Sequence, residues 1–382
     1  MSHPLLKFGD VVHLNTDHVA DPLTVGIERY VGLEHITPEG LHIHSWGLVA
    51  EGITFTNYFK PGQVLFGKRR AYQRKVAVAE FAGVCSSDIY VFESKDLKVL
   101  LPELLPFICQ TESFYEYAVG TSAGSLSPRT NWKQLANYEF PLPPINAQRR
   151  IADLLRAADE SAGATSDLIY SISKVKEALR KENFSGGEGS KVLLRDLCEL
   201  KGIQIGPFGS QLHASDYVSD GIPVIMPVNM TDDKIDESGI SRITPKMVES
   251  LSQHIVLPGD ILLPRRGELD RRAFIRPEQK GWFCGTGSLR IRTRKGINPR
   301  AVFNALASSE TVGWLKNHAV GTTMPNINAT IVSNIPISLP TKDKIDEIVE
   351  MLEKLDESLD AAMKKREADI RLKKEILKHH LG

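Results

Sequence analysis

Two short basic runs contain the residue types that proteins use to contact nucleic acid. The run 68–75 sets an aromatic ring and an amide among its cations and supplies Lys68, Arg69, Arg70, Tyr72, Gln73 and Arg74. The run 265–272 supplies Arg265, Arg266, Arg271 and Arg272. Such cations neutralise phosphates, an arginine can donate two hydrogen bonds to guanine, and a glutamine can pair with an adenine edge. Taken singly, a basic run of this kind is most often a solvated charged turn.

The two runs occupy equivalent positions of an internal repeat. Several short motifs return 197 residues later in the same order: Pro61-Gly62 as Pro258-Gly259, Leu65 as Leu262, Lys68-Arg69 as Arg265-Arg266, and Leu142-Pro143 as Leu339-Pro340. The tetrapeptide 118–121 returns as 319–322, an offset of 201 that a compensated four-residue insertion explains. Because one offset persists over nearly a hundred residues, the halves are predicted to be two copies of one fold. The recurrence favours DNA contact over a solvated turn for both runs.

Further candidates lie in glycine-containing loops. After the repeated Gly-Thr, the first half offers Ser122 and Ser125, and the second offers Thr323 and Asn326. Ser210 ends the loop 206–210. Small hydroxyl and amide side chains on such turns can approach a DNA backbone closely, although plain structural turns explain these loops equally well.

Each half has the same order of elements. Short strands are predicted at 30–33, 52–58, 63–66 and 89–92, and in the second half at 223–228, 260–263 and 288–292. Short helices are predicted around 101–119 and 299–319. Because strands and helices do not alternate regularly, the fold class is predicted to be α+β rather than a doubly wound nucleotide fold.

A Leu-Pro stop in each half precedes a long amphipathic helix. Apolar residues recur at three- and four-residue spacing with charges between them, and the residues predicted for helix packing or partner docking are Ile151, Leu155, Leu168, Ile172, Val175, Ile348, Leu352, Leu355 and Leu359. Matching stripes favour two antiparallel helices packed on each other over helices that each cover only their own domain. The predicted boundaries are domain 1 at 1–143, a spacer helix at 144–185, domain 2 at 186–340 and a second spacer helix at 341–382. The flexible linker is predicted at 185–190, which is rich in glycine and serine.

Composition limits the alternatives. The chain has 382 residues and equal numbers of basic and acidic residues, 47 of each, which argues against a protein that simply coats nucleic acid. Between Arg265 and Arg300, however, eleven basic residues stand against three acidic ones, so a local basic patch is compatible with DNA binding. The scattered cysteines, the lack of a long apolar segment and the absence of a secretory start predict a cytoplasmic protein without a membrane span.

No catalytic constellation is recognisable. His42 and His44 would share a face of a strand, but no cysteine or carboxylate stands at metal-ligand spacing from them. The Glu278-Gln279-Lys280 segment lacks the upstream acid that a nuclease needs, and no phosphate-binding Gly-x4-Gly-Lys-Ser/Thr motif occurs. The chain is therefore predicted to be non-catalytic, with no cofactor and no metal of its own.

The ordered motifs resemble those of type I restriction-modification specificity subunits. The segment Phe140-Pro141-Leu142-Pro143-Pro144, followed by Gln148 and Ile151, is similar to the start of that family's central helix. Gly206-Pro207-Phe208-Gly209-Ser210, Gly221-Ile222-Pro223, Pro258-Gly259-Asp260 and Gly321-Thr322-Thr323 resemble the family's target-recognition domain. The resemblance covers essentially the whole chain. It departs at the second helix, which lacks the double proline and the glutamine, and in the first half, which has no clear Gly-Pro-Phe-Gly-Ser loop.

The resemblance implies a division of labour. Each target-recognition domain would read one half of a split double-stranded DNA target, and the helices would separate the half-sites. Two DNA methyltransferase subunits would dock around the helices, restriction/translocase subunits would join them, and those partners would handle S-adenosylmethionine and ATP. Two alternatives stay open: a related DNA-recognition subunit of another defence system, and a coiled-coil adaptor whose ends bind proteins.

Overall fold

A computed structural model describes residues 4–186, 191–321 and 325–382. The chain divides into two compact units, unit 1 (Met1–Ile169 with Ala361–Gly382) and unit 2 (Tyr170–Asp360). Both boundaries fall inside the long helices, so each unit contains a segment of both helices. Thr323 and most of the predicted linker lie outside the described residues.

Unit 1 begins with strands and ends in a long helix. Its elements are β1 (Leu5–Lys7), α1 (Phe8–Val11), β2 (Val12–Asn15), β3 (Arg29–Val31), β4 (Gly47–Leu48), β5 (Asn57–Phe59), β6 (Val64–Gly67), β7 (Val76–Val78), β8 (Gly83–Cys85), β9 (Ile89–Ser94), α2 (Leu105–Ile108), α3 (Glu112–Gly120), β10 (Ser122–Ala123), β11 (Arg129–Thr130), α4 (Trp132–Leu135), β12 (Glu139–Pro141) and the first part of α5 (Ile145–Phe184).

Unit 2 repeats this order. Its elements are the rest of α5, β13 (Val192–Leu193), α6 (Leu194–Leu197), β14 (Cys198–Ile205), β15 (Tyr217–Val218), β16 (Ile222–Ile225), β17 (Asp232–Asp233), β18 (Arg242–Ile243), α7 (Pro245–Ser250), β19 (Ile261–Pro264), β20 (Arg272–Phe274), β21 (Phe283–Cys284), β22 (Ser288–Thr293), α8 (Pro299–Leu306), α9 (Ser309–His318), α10 (Ala329–Ser333), β23 (Pro336–Ile337) and the first part of α11 (Ile345–His380).

The sheets confirm that the chain contains two copies of one fold. In unit 1 the strand orders are β2-β9-β6-β7 and β4-β3-β8-β5, and in unit 2 they are β14-β22-β19-β20-β17 and β15-β18-β16-β21. Each second sheet contains one parallel pair, β3 with β8 and β16 with β21, whose registers align Val31 with Cys85 and Ile225 with Cys284. A two-stranded sheet, β1 with β12 or β13 with β23, completes each copy. The predicted α+β class is confirmed.

The repeated Pro-Gly turn has a clear physical cause. Gly62 and Gly259 adopt φ angles of 86° and 91°, a left-handed conformation that glycine enters without steric cost. The residue after each glycine closes the turn with its side chain. Gln63 Oε1 accepts a hydrogen bond from the Lys60 N–H at 2.7 Å, and Asp260 Oδ2 accepts one from the Leu257 N–H at 2.8 Å. The same turn is therefore built twice with different side chains.

The long helices contribute to the core of the unit in which each segment lies. Ile151 and Leu155 of α5 are buried in the aromatic core of unit 1 beside Phe8 and Phe140. Ile348 and Leu352 of α11 are buried in the core of unit 2 with Phe303. Each core also contains a residue of the other long helix, Leu377 of α11 in unit 1 and Phe184 of α5 in unit 2, so the two helices share these cores.

The two long helices run antiparallel within each unit and are also joined by polar contacts. In unit 1, Lys373 of α11 pairs with Asp159 of α5, and Ser161 Oγ donates to Asp369 Oδ2 at 2.7 Å. In unit 2, Lys176 of α5 pairs with Asp356 of α11. The two lysine–aspartate pairs are related by the repeat offset, because each residue has its counterpart 197 positions away.

The predicted apolar stripe is only partly used in helix packing. Leu168 and Val175 are 52% and 55% exposed, so helix packing is not supported for these two residues, whereas the predicted docking of a partner remains untested. Buried lysine–aspartate pairs and hydroxyl groups occupy the seam in their place. Ile172, Leu355 and Leu359 are half-buried. No described helix combines the length and the apolar character required to cross a membrane.

Most of the short strands and helices predicted from the sequence are present in the structure, with two exceptions. The strand predicted at 52–58 is restricted to β5, because Gly52 forms a left-handed turn with φ 87° after a short 3-10 helix. The strand β14 was not predicted. Its charged and polar residues, among them Glu199, Lys201 and Gln204, hide the period-two pattern, and its pairing with β22 contains a register shift.

Candidate nucleic-acid interface

In unit 2, three strand ends converge at one edge of the larger sheet. The end of β14 and the end of β19 both flank the start of β22, since Ile205 lies opposite Leu289 and Pro264 opposite Ser288. The loops that follow continue this pairing. The Gly206 N–H donates to Ser288 O at 2.9 Å, and the Arg265 N–H donates to Gly287 O at 2.7 Å. The second basic run and the Gly-Pro-Phe-Gly-Ser loop therefore leave the sheet side by side.

Phe208 and Arg265 meet at this edge. The guanidinium carbon of Arg265 lies 5.4 Å from the centre of the Phe208 ring, a cation–π contact. Phe208 is 54% exposed, and Arg266 and Ser210 are exposed as well. An exposed ring against an arginine presents both a stacking surface and a cation, the combination that nucleic-acid-binding proteins use.

Asn326 joins the same edge from a distant part of the chain. It forms an antiparallel bridge with Arg266, flanked by hydrogen bonds from Gly267 N–H to Pro325 O at 3.2 Å and from Ile327 N–H to Arg265 O at 2.9 Å. Asn328 then caps α10 by accepting from the Ile331 N–H at 2.8 Å. We call residues 265–267 with 325–327 the basic edge of unit 2.

Unit 1 contains the same construction. Arg69 bridges Arg129, the Arg70 N–H donates to Pro128 O at 2.7 Å, and the Thr130 N–H donates to Lys68 O at 2.8 Å. Asn131 caps the following helix, as Asn328 does. We call residues 68–70 with 128–130 the basic edge of unit 1. In both units, the structure thus brings together two loops that the sequence offered as separate candidates.

A carboxylate organises the cations of the unit 1 basic edge. Asp88 accepts hydrogen bonds from Arg129 Nε at 2.8 Å and from Arg69 Nη1 at 3.3 Å. Burial alone would raise the pKa of Asp88, but the hydrogen bonds and positive charges of Arg129 and Arg69 outweigh it and lower that pKa. Asp88 is therefore ionised at neutral pH. Ser127 Oγ also accepts from Arg69 and Arg70, at 3.1 and 3.2 Å.

The remaining residues of the first basic run differ in accessibility. Lys68 lies over the Tyr90 ring at 4.6 Å, and burial lowers its pKa while Asp88 acts in the opposite direction. Tyr72 is 55% exposed, and Gln73 beside it is half-buried. Tyr72 is thus the accessible ring of this loop, as Phe208 is in unit 2.

Several predicted DNA-contact residues have other partners. Arg272 is only 6% exposed; its guanidinium donates to Asp270 O at 2.7 Å and lies over the Phe303 ring, so a DNA contact is not favoured. Arg74 is paired with Glu112 and with Glu39 at 3.5 Å, which draws it to α3. Arg271 is half-buried and paired with Glu268.

The two candidate serines that follow Gly-Thr in unit 1 also differ in accessibility. Ser122 Oγ donates to Ala118 O at 2.7 Å and lies 3.1 Å from Thr130 Oγ1, so it closes the turn. Ser125 is exposed, next to Leu126, which is 91% exposed.

Sequence reasoning did not single out Asp88, Arg129 or Phe208 as site residues. Arg129 and Phe208 lay within motifs already noted for their serines and glycines, so a local signal existed. Asp88 had none, because its role arises from two arginines that are 19 and 41 residues away.

The model of the type I restriction modification DNA specificity domain matches residues 34–172 and again residues 191–372, which together exceed half of the chain. The chain belongs to this family. Each of the two matches contains one basic edge. Members of the family are the non-catalytic, DNA-recognising subunits of type I restriction-modification systems, and this specificity protein carries the domain twice.

Two specificity subunits of type I restriction enzymes are similar to this chain. The EcoDI specificity subunit of Escherichia coli is 28% identical over 171 residues, a match that spans 41% of this chain and 37% of that protein. The MjaVIII specificity subunit of Methanocaldococcus jannaschii is 22% identical over 333 residues, which span 83% of this chain and 74% of that protein.

Two solved structures share the fold. The crystal structure of a type I restriction-modification S subunit from M. genitalium aligns with a TM-score of 0.64 at 14% identity and covers 99% of this chain and 96% of that one. A chain from a structure describing complex assembly and conformational transition of the type I R-M system aligns with a TM-score of 0.53 at 20% identity, covering 99% and 97%.

Proposed function

We propose that the protein reads a split double-stranded DNA target with one basic edge for each half-site. The observation that carries the proposal is the recurrence of one two-loop construction, a basic loop bridged to the loop after Gly-Thr, at equivalent places in both units. Different side chains stand on the two constructions. Arg69 and Arg129 in unit 1 correspond to Arg266 and Asn326 in unit 2, so the two half-sites are expected to differ in sequence.

The proposed complex contains two DNA methyltransferase subunits and restriction/translocase subunits. One of the solved structures that share this fold describes complex assembly of a type I R-M system, which supports partners of this kind. The exposed apolar residues of the long helices, among them Leu168 and Val175, are suited to such docking. S-adenosylmethionine and ATP would then be bound by the partners, and the complex would work in the cytoplasm.

The function is tested by sequencing DNA methylation in cells that carry this protein with its methyltransferase. The expected result is adenine methylation within one bipartite motif, absent when either protein is omitted. Methylation that does not depend on this protein, or a motif with only one specified half, would contradict the proposal.

The assignment of the unit 2 edge is tested by Arg265→Ala/Arg266→Ala. Removal of these side chains is expected to weaken DNA binding at one half-site only. Each bidentate contact to a base that the variant can no longer form is expected to cost about 1–3 kcal/mol. Fewer phosphate contacts would also make the affinity less dependent on salt. Binding is measured by fluorescence anisotropy on duplexes in which one half-site at a time is scrambled.

A further inference from the structure

Asp88 holds two arginines of the unit 1 basic edge in fixed positions. Its side chain is 14% exposed, whereas those of Arg69 and Arg129 are 39% and 53% exposed. A hydrogen bond from the Asp88 N–H to Ser86 Oγ at 3.2 Å and one from the Lys68 N–H to Asp88 O at 2.9 Å anchor the backbone of the aspartate. The carboxylate thus forms a rigid support for two guanidinium groups that solvent can reach.

The direction of the Arg129 contact leaves its outer edge available. Only Nε donates to Asp88, at 2.8 Å, and among the described residues neither terminal amino group of Arg129 has a hydrogen-bond acceptor. These two groups form a planar fork whose geometry matches the O6 and N7 acceptors of guanine in the major groove. A side chain held at its inner nitrogen also loses less rotamer freedom when the fork engages a base.

We propose that Arg129 reads a guanine in the half-site bound by unit 1, and that Asp88 is the positioning residue that presents it. The inference rests on the proposed function. It assigns a base to a named side chain, and it distinguishes Arg129 from neighbouring cations to which no base is assigned.

At the equivalent positions, unit 2 has neither the aspartate nor the second arginine. The backbone hydrogen bond that Lys68 N–H makes to Asp88 O is made there by Arg265 N–H to Gly287 O, so a glycine stands in the place of the aspartate. Asn326 stands in the place of Arg129. Recognition of a guanine by an arginine that a carboxylate holds in place is therefore expected in one half-site only.

The test compares four single variants at Arg129 and Asp88, one double variant and one control on a library of duplexes randomised at the unit 1 half-site, with the intact methyltransferase complex. Arg129→Ala is expected to lower the preference for guanine at one position roughly tenfold or more, with the other positions unchanged. Arg129→Lys keeps the charge but not the fork, so it is expected to lose the same preference while retaining most of the overall affinity. A phosphate contact would tolerate lysine at every position.

Asp88→Ala and Asp88→Asn separate positioning from folding. Removal of the carboxylate makes the edge more positive, so affinity for unrelated DNA is expected to rise while guanine preference falls at the position that Arg129 reads. A double variant, Asp88→Ala/Arg129→Ala, is expected to lose no more guanine preference than Arg129→Ala alone. A merely structural aspartate would instead lower both affinities together with the melting temperature.

Lys98→Ala is the matched control. Lys98 is exposed and follows the end of β9, whereas Asp88 precedes its start, so about 20 Å of a six-residue strand separates the two residues. Replacement of Lys98 removes one positive charge from the same unit. The sequence preference of this variant is expected to match that of the parent protein. If Arg129→Ala lowers binding to all sequences equally, or changes none, the inference is wrong. A parent complex that shows no sequence preference would refute the proposed function instead.

Discussion

Replacing Asp260 with alanine tests how the repeated Pro-Gly turn is stabilised in each unit. Asp260 is 1% exposed and accepts hydrogen bonds from Arg292 Nε and Nη2, both at 2.7 Å, besides the one that closes the turn. At the equivalent place in unit 1, Gln63 donates from Nε2 to Glu93 Oε2 at 2.7 Å. The two copies thus join the same strands, β19 to β22 and β6 to β9, with an ion pair in one case and an amide in the other.

The two substitutions are expected to differ in cost. Removal of one partner of a buried ion pair costs about 3–5 kcal/mol, because the remaining charge is left uncompensated. The Arg292 side chain is 22% exposed and keeps a contact to Ile255 O at 3.2 Å, so Asp260→Ala should fall near the lower limit, about 3 kcal/mol. Gln63→Ala leaves a half-buried Glu93 that water can reach, and its expected cost is about 1.5 kcal/mol.

Native-state hydrogen exchange measures both effects separately in each unit. Asp260→Ala should reduce the protection of β19 and β22 and leave β6 and β9 unchanged, and Gln63→Ala should do the reverse with about half the effect. Asp260→Asn keeps an acceptor for the turn and should be intermediate. If Asp260→Ala costs no more than Gln63→Ala, the reasoning about the buried ion pair is refuted.

Three further predictions concern other sites. Burial, with the nearby charge of Arg290, lowers the pKa of His254 from 6.5 to about 4. Between these two pH values the unfolded chain binds a proton that the folded chain does not. Unit 2 should therefore lose stability as the pH falls from 6.5 to 4, by roughly 2–3 kcal/mol. In urea titrations at pH 7 and 5, the parent protein should be less stable at pH 5, and His254→Leu should abolish this loss of stability. Lys373→Ala should destabilise unit 1 by about 3 kcal/mol, because Asp159 is 13% exposed, whereas Lys373→Met/Asp159→Leu should be nearly neutral in the same titrations. If the long helices set the distance between half-sites, insertion of one helical turn after Leu168 should change the spacer length in the methylated motif, and an unchanged spacer would rule that role out.

The features that the sequence predicted well are those written in local patterns. The first long helix was predicted at 144–185, and α5 spans Ile145–Phe184, because proline stops and three-four periodicity act within a few turns. The repeat was visible because turn residues such as Gly62 and Gly259 cannot be replaced freely at a positive φ. Those signals carried the fold class and the placement of both basic runs.

Features that depend on distant pairing were not predictable in this way. An apolar stripe does not show which of its residues face the other helix and which remain exposed. Leu168 and Val175 are exposed, whereas lysine–aspartate pairs lie between the helices. A basic run does not show which arginines are already paired. Arg272 is buried against Phe303 and Arg266 is exposed, although the two lie six residues apart in one run.

The two copies keep the same backbone hydrogen bonds and exchange the side chains that stand on them. Lys68 and Arg265 donate through the same main-chain N–H to residues 88 and 287, yet one acceptor residue carries a carboxylate and the other carries no side chain. Gln63 and Asp260 close the same turn, yet one reaches an acid and the other an arginine. Because the main chain fixes where each edge lies, side chains there can change without changing the fold. A duplicated domain can in this way keep one frame and still read two different sequences.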